Sequence, residues 1–566
     1  MNFPRHAPAS RNPLSILDRF PRLAAGLLAI LAGAVAACGF QPLSLWPLTL
    51  AGIAILAELV VRAGSGRSAF LLGWCFGLGH FTLGNNWIAT AFTYQAEMPA
   101  WLGSIAVFLL SLYLAIYPAL AALCAWLALK AGRKVKGNGK EKATSAAGPA
   151  AFLIVLFALP AAWIVTEWLR AWVFTGFSWN PLGVALLGQF DTRGLALLAP
   201  WIGTYGLSGV LVLLACLPGY LARLGSARSG HGRWACALAL LALAAPLIMV
   251  MTGPDRWAKR EEGEIHYTLV QPDLRQEVID DPREYEANFI KLARLSLQRR
   301  PGEKRVVFWP ESGLGDYLRD GYPDYLYRMY TYAGDPLLAR QRIGRMIGSY
   351  SVLLTGAVDL VMRDGESVGA RNTVTAFDGE GHILASYSKA HLVPYGEYLA
   401  MRWLLEPLGA RRLVAGSLDF WPGPGPRTYD LGSYGEAGIQ ICYEIIFSGQ
   451  VVDPRNRPDY IFNPSNDGWF GTWGPPQHLA QARLRAIEEG LPVLRSTTTG
   501  ISAVVDADGI VRKFVPWRRA GRLDGRIPPP HEPTLFARYG NALPLAFSAF
   551  LALLALSVVA LGRRGR

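Results

Sequence analysis

The sequence predicts a polytopic α-helical membrane domain of eight transmembrane helices joined to an α/β domain outside the bilayer. Three observations carry this. Only 17% of the 566 residues are charged, against roughly 25% in an ordinary soluble domain. Apolar runs of about the length needed to cross a bilayer occur near 23–38, 46–61, 68–92, 101–129, 149–170, 195–222, 234–252 and 541–562, the first two needing flanking residues to span. Between the last two runs, residues 263–538 have normal charge density. The expected organisation is therefore a membrane domain over 1–255 with seven helices, an outer domain over 263–525 large enough to hold its own core, and an eighth helix over 541–562.

The orientation follows from Lys and Arg beside the helices, which stay on the cytoplasmic side. With the N-terminus inside, that side carries Arg5, Arg11, Arg19 and Arg22; Arg62 and Arg67; Lys130, Arg133, Lys134, Lys136, Lys140 and Lys142; Arg223, Arg228 and Arg233; and Arg563, Arg564 and Arg566. The opposite short loops, near 39–45, 93–100 and 171–194, hold only Arg193. Seven crossings then place the large domain outside, and an eighth returns the basic tail to the inside. The net charge of +13 is mostly this orientation signal, so nucleic acid is not an expected partner. Arg-rich residues 5–22 followed by Val35-Ala36-Ala37-Cys38 also imitate a cleavable signal ending in a lipidated cysteine. Removing the first helix would invert every later one, so a plain membrane helix is the preferred reading.

Five of the six cysteines, Cys38, Cys75, Cys124, Cys216 and Cys236, fall in or beside apolar spans, where a small buried hydrophobe is the usual role. Cys442 alone belongs to the outer domain, so it cannot form a disulfide there and is either buried and inert or reactive.

Within that domain, strand-like runs lie at Ile265–Val270, Arg305–Trp309, Val352–Leu360, Asn372–Phe377, Ile439–Ile441, Tyr460–Phe462 and Ile501–Val505, with helical stretches near 283–299, 335–349 and 476–490. The periodicity implies an α/β fold with a mixed sheet. Functional groups of such folds collect just past strand ends. Glu311 follows the run ending Phe308-Trp309-Pro310; Lys389 lies in Ser388-Lys389-Ala390-His391, with Glu397 eight residues on; Cys442 ends Gly438-Ile439-Gln440-Ile441. A carboxylate, an ammonium and a thiol are what a thiol nucleophile needs for activation and for stabilising an oxyanion. Taken singly, each also reads as structural: a helix-start charge, a solvated loop lysine and a core cysteine.

Together, the motifs WPES (Trp309–Ser312), SKxHLVPxGE (Ser388–Glu397), ICYE (Ile441–Glu444), NDxWFG (Asn466–Gly471) and QHLxxARxRAIE (Gln477–Glu488) resemble the nitrilase (carbon–nitrogen hydrolase) superfamily. With helices before and after the domain, they resemble its membrane-bound apolipoprotein N-acyltransferase branch over essentially the whole chain. The resemblance implies an αββα sandwich in which Glu311 is the general base, Lys389 the oxyanion-stabilising cation and Cys442 the acyl-carrying nucleophile. It further implies supporting roles for Glu397, Tyr443, Glu444 and Trp469. Two departures are local: Tyr395 stands where phenylalanine is common, and Thr498-Thr499 where an asparagine usually precedes Gly-Ile-Ser.

The implied reaction is transfer of an acyl chain from a phospholipid, with phosphatidylethanolamine the expected donor, through a cysteine thioester to the N-terminal amine of a diacylated apolipoprotein. The implied location is the bacterial inner membrane, with the catalytic domain on the periplasmic side. A lipid gate is expected where Leu399, Met401, Trp403, Leu404, Leu405 and Leu408 cluster between Pro394 and Pro422–Pro426, the alternative being a helix on the domain core. No cofactor is expected: His266, His382, His391, His478 and His531 lack metal-ligand spacing, and no nucleotide-binding glycine pattern follows a strand. Two other readings stand beside this one. One is a membrane-anchored amidase or nitrilase hydrolysing a small amide. The other is a non-catalytic transporter or scaffold, for which Glu58 and Glu167 near span ends offer little.

Overall fold

Inside a bilayer every backbone N–H and C=O must find a partner within the chain, so apolar runs fold as helices. The computed structural model describes residues 21–94, 99–133, 148–226, 230–256, 258, 260–279, 281–405, 407 and 418–564. The basic residues Arg5, Arg11, Arg19, Lys134, Lys136, Lys140, Lys142, Arg228 and Arg566, and Leu408 of the expected gate, lie outside the described residues.

The N-terminal region is helical at Pro21–Ala37, Trp46–Arg62, Gly66–Gly84, Trp101–Leu114, Ile116–Arg133, Pro149–Arg170, Ala199–Ser226 and Gly230–Thr252, and a last long helix covers Ala542–Arg564. Among the described residues five helical stretches are long and apolar enough to cross a membrane: Trp101–Gly132, Pro149–Arg170, Leu195–Ser226, Trp234–Thr252 and Ala542–Gly562. The first three helices are shorter or less apolar. They pack through small residues, as membrane helices do: a Cβ on Gly33 would stand 1.9 Å from the Phe76 carbonyl oxygen of the helix Gly66–Gly84.

The run expected to span 68–92 stops at Gly84. The Asn85 N–H bonds back to the Phe81 carbonyl, and a separate turn of helix, Ile88–Ala91, follows. The break carries Trp87 out of the bundle, with its ring 4.5 Å from Trp179 and 4.7 Å from Phe470 of the outer domain.

The outer domain holds twelve strands: β1 His266–Gln271, β2 Arg305–Phe308, β3 Ser351–Arg363, β4 Glu366–Asp378, β5 Ile383–Ser388, β6 Thr428–Asp430, β7 Glu436–Ile439, β8 Tyr460–Ser465, β9 Val493–Thr497, β10 Ser502–Val505, β11 Val511–Val515 and β12 Gly521–Arg526. They form two six-stranded sheets, ordered β12-β1-β2-β3-β4-β5 and β11-β10-β9-β8-β7-β6, the two sheets that the expected αββα sandwich requires, each of them mixed. Each sheet has the same plan: three central parallel strands, β1-β2-β3 or β7-β8-β9, flanked by antiparallel ones.

The period-2 alternation of a strand assigns its faces. On β2, Val306 and Phe308 point into the core between the sheets, where Phe308 lies 4.8 Å from the Phe462 ring. Val307 and Trp309 point the other way, onto Phe289 and Ile343 of the helices Tyr285–Ser296 and Pro336–Ile347. Each such side chain, fully buried, contributes about 1.5–3 kcal/mol.

The helix Gly474–Glu489 lies on the second sheet and is buried on nearly all sides, because its other face meets the membrane domain. Its polar side chains serve that junction. Gln477 Oε1 accepts from Trp179 Nε1 (2.8 Å), Arg483 donates to the carbonyls of Gly188, Gln189 and Thr192, and Arg485 donates to Thr204 Oγ1. Glu488 accepts from the Thr204 backbone N–H (2.5 Å) and from Ser448 Oγ (2.8 Å). Buried carbonyls of the membrane loops are thereby satisfied by side chains of the outer domain.

Candidate active site

Each candidate group follows a strand end. Trp309 is fully buried and its Nε1 donates to Ser296 Oγ (2.7 Å), which pins the end of β2 before Glu311. Gly356 on β3 makes room for that turn: a Cβ there would stand 1.9 Å from the Glu311 carbonyl oxygen. Lys389 directly follows β5, and its backbone N–H donates to the Asn372 carbonyl on β4 (2.9 Å). Cys442 lies past the end of β7, at φ +50°. A non-glycine residue held with positive φ stores about 1–3 kcal/mol, a cost often found where a side chain must be aimed.

The three meet in one place, almost closed to solvent: Glu311 is 9% exposed, Lys389 1% and Cys442 5%. Lys389 Nζ is 3.4 Å from Glu311 Oε1 and 3.0 Å from both oxygens of Glu397. Asn372 Nδ2 donates to Glu311 Oε1 and to Glu397 Oε1, each at 2.8 Å. The remaining oxygens are held by backbone: Asn466 N–H donates to Glu311 Oε2 (2.7 Å) and Val393 N–H to Glu397 Oε2 (2.8 Å). Two carboxylates thus share one ammonium and one amide, a network in which every charge has a partner.

Burial alone would favour the neutral amine of Lys389, but the Glu397 and then the Glu311 carboxylates outweigh it and push its pKa up. Burial pushes the Cys442 thiol up, and the Glu311 charge adds to that while Lys389 opposes it. These effects favour thiol over thiolate at Cys442, so any attack by its sulfur would need a proton acceptor. Alkylation of Cys442 by iodoacetamide is expected to accelerate with pH to beyond pH 9; a plateau by neutral pH would contradict this protonation state.

Glu444 anchors the turn after the nucleophile. It accepts from Tyr387 OH, Ala390 N–H and Ile441 N–H (2.7 Å each) and from His391 N–H (3.2 Å), while burial raises its pKa to about 7. It thus ties the lysine loop to the cysteine turn. Tyr443 OH donates to the Gly176 carbonyl of the membrane domain (3.2 Å). Trp469 is half-buried, edge-on to Tyr94 at 5.8 Å. Trp403 stands 78% exposed on the short helix Arg402–Leu405, away from any core position. Among the described residues no cluster of three or more potential metal ligands occurs.

Asn372 escaped the sequence reading as a site residue: a single amide within a strand carries no spacing signal. Asn466 lay inside a recognised motif, but its contribution is a backbone N–H, which no residue identity announces.

Residues 32–217 match the family described as Apolipoprotein N-acyltransferase N-terminal domain, and residues 269–530 match Carbon-nitrogen hydrolase. Apolipoprotein N-acyltransferase of Rhodopseudomonas palustris is 32% identical over 556 residues, covering 95% of each chain. That of Bradyrhizobium diazoefficiens is 33% identical, covering 93% of this chain and 94% of its own. Among solved structures, an amidase from Nesterenkonia sp. is 18% identical with a TM-score of 0.31, covering 47% of this chain and 92% of its own. Identity at that level along the full length of such relatives, on a carbon–nitrogen hydrolase domain joined to apolar helices, places this chain in the apolipoprotein N-acyltransferase family of membrane enzymes.

Proposed function

We propose that the protein moves an acyl chain from a phospholipid to the N-terminal amine of S-diacylglyceryl-cysteine on an apolipoprotein, with Cys442 as carrier. In the first step Glu311 takes the thiol proton as sulfur bonds to the ester carbonyl; the C–O bond breaks, the proton passes to the leaving alkoxide, and a lysophospholipid departs. In the second the amine bonds to the thioester carbonyl, the C–S bond breaks, and the amine proton returns to sulfur by way of Glu311. Lys389 faces the oxyanion in both steps, and Glu397 with Asn372 holds it there. Tyr443, Glu444 and Trp469 support the nucleophile turn and the acyl site, and Trp403 belongs to the gate.

The observation that carries the reading is the near-sealed triad joined to the membrane domain through Tyr443 and Gly176. A thioester that must wait for a lipid-borne amine has to be kept from water, whereas hydrolysis of a small amide, the alternative, gives neither the seal nor the membrane junction a purpose. Counting Trp101–Leu114 and Ile116–Arg133 as one stretch, the long helices are read as seven crossings over 1–255 and an eighth over 541–562. With the basic residues inside, the domain over 263–525 lies on the periplasmic side of a bacterial inner membrane. The donor is most simply phosphatidylethanolamine. Incubation of the full chain in vesicles with labelled phosphatidylethanolamine and a diacylated peptide should move label to the peptide amine; release of free fatty acid instead would favour hydrolysis.

A further inference from the structure

A second buried polar cluster reaches the nucleophile through its backbone. His478, Asp467 and Arg495 are all 0% exposed. His478 Nε2 lies 3.0 Å from the Cys442 carbonyl oxygen. A carbonyl only accepts, so Nε2 carries the hydrogen. The other ring nitrogen, Nδ1, meets Arg495 Nη2 at 3.0 Å and Asp467 Oδ1 at 3.1 Å, and the same Nη2 pairs with Asp467 at 2.7 Å. The guanidinium beside Nδ1 favours a lone pair there, against the pull of the Asp467 carboxylate, and so the tautomer that donates from Nε2. Burial, reinforced by the Arg495 charge and opposed by Asp467, lowers the His478 pKa and so favours the neutral ring. Asn463 extends the cluster: its Oδ1 accepts from Arg495 Nη1, and its Nδ2 donates to the Gln440 carbonyl (2.6 Å) and lies 3.5 Å from that of Cys442.

The Cys442 carbonyl is what this cluster grips, and Cys442 is the residue held at φ +50°. Rotating that carbonyl away from His478 would turn the Cα and swing the thiol out of line with Glu311 and Lys389. We propose that His478 is a positioning residue for acyl transfer: its Nε2–H locks the nucleophile's carbonyl, and so the left-handed turn that aims the thiol, while Arg495, held by Asp467, favours the donating tautomer. His478 touches no reacting atom, so it acts through Cys442 alone. The inference rests on Cys442 being the acyl carrier.

The two edges of the ring can be separated. Gln at this position places an amide donor near Nε2; Asn places its amide near Nδ1 and leaves the carbonyl without its donor. His478→Gln and His478→Asn are compared with the wild type in phospholipid vesicles. The readouts are single-turnover acylation of the protein by intact mass, and kcat and KM for transfer to a diacylated peptide. Misplacement of a reacting group by about 1 Å costs on the order of 100-fold. His478→Asn should therefore lose about 100-fold in acylation rate and kcat with KM unchanged, whereas His478→Gln should stay within about tenfold of the wild type. Equal activities, the reverse order, or a loss confined to KM would overturn the proposal. So would failure of both variants to accumulate in the membrane, which would make His478 a folding residue. A wild type that transfers no acyl chain would instead sink the functional reading beneath it.

Discussion

Replacing Lys389 by methionine is expected to lower acyl transfer by at least about 1000-fold and to destabilise the outer domain at the same time. Loss of an oxyanion-stabilising donor alone costs about 2.7–4 kcal/mol in the transition state. Here a second penalty joins it, because Lys389 is the ammonium shared by Glu311 and Glu397, both nearly buried. Removing one partner of a buried ion pair costs about 3–5 kcal/mol, and the two carboxylates would be left to repel each other across Asn372. Activity measured on vesicle-embedded protein, with thermal unfolding in parallel, checks both halves. A variant that kept more than a tenth of wild-type kcat, or lost activity with no change in unfolding, would show that the lysine is not the hub of this network.

Glu311→Gln is the second large effect. The substitution preserves shape and removes the base, and general-base catalysis is worth about 100- to 10,000-fold. Geometry makes the loss worse than the charge change implies, because every neighbour of that carboxylate is a donor: Asn372 Nδ2, Lys389 Nζ and the Asn466 N–H. An amide NH2 placed among them has nothing to donate to. Since burial holds the thiol in its protonated form even without the Glu311 charge, the first step should fail for want of a base, and no thioester should accumulate even with donor in excess. Accumulation of acylated Glu311→Gln protein at the wild-type rate would assign the base elsewhere.

The triad was legible because each member sits just past a strand whose apolar pattern is local: β2 before Glu311, β7 before Cys442 and the motif around Lys389. What the sequence hid depended on contacts remote along the chain. β9 contains Arg495, a charge that interrupts an apolar run and makes sense only once Asp467 pairs with it at 2.7 Å. β11 and β12 are outer strands of their sheets with little apolar alternation, and β12 finds its place by pairing with β1 some 250 residues away in sequence. The helix Gly474–Glu489 is recognisable as a helix, but nothing local in the sequence says that its Gln, His, Arg and Glu side chains are buried. They are buried because the membrane loops present carbonyls that need donors. The run near 68–92 ends early as a helix for a similar reason: after the break at Asn85, Trp87 meets Phe470 of the outer domain.

The proposed function requires that the Cys442 sulfur carry the acyl group between two lipid-borne partners. Intact mass of the full-length protein, after incubation with phosphatidylethanolamine vesicles and no acceptor, tests it most directly. The expected result is one added acyl chain that peptide mapping places on Cys442, that disappears when a diacylated peptide is added, and that is absent in Cys442→Ala. An acyl chain on any other residue, or transfer to the peptide by Cys442→Ala, would contradict it.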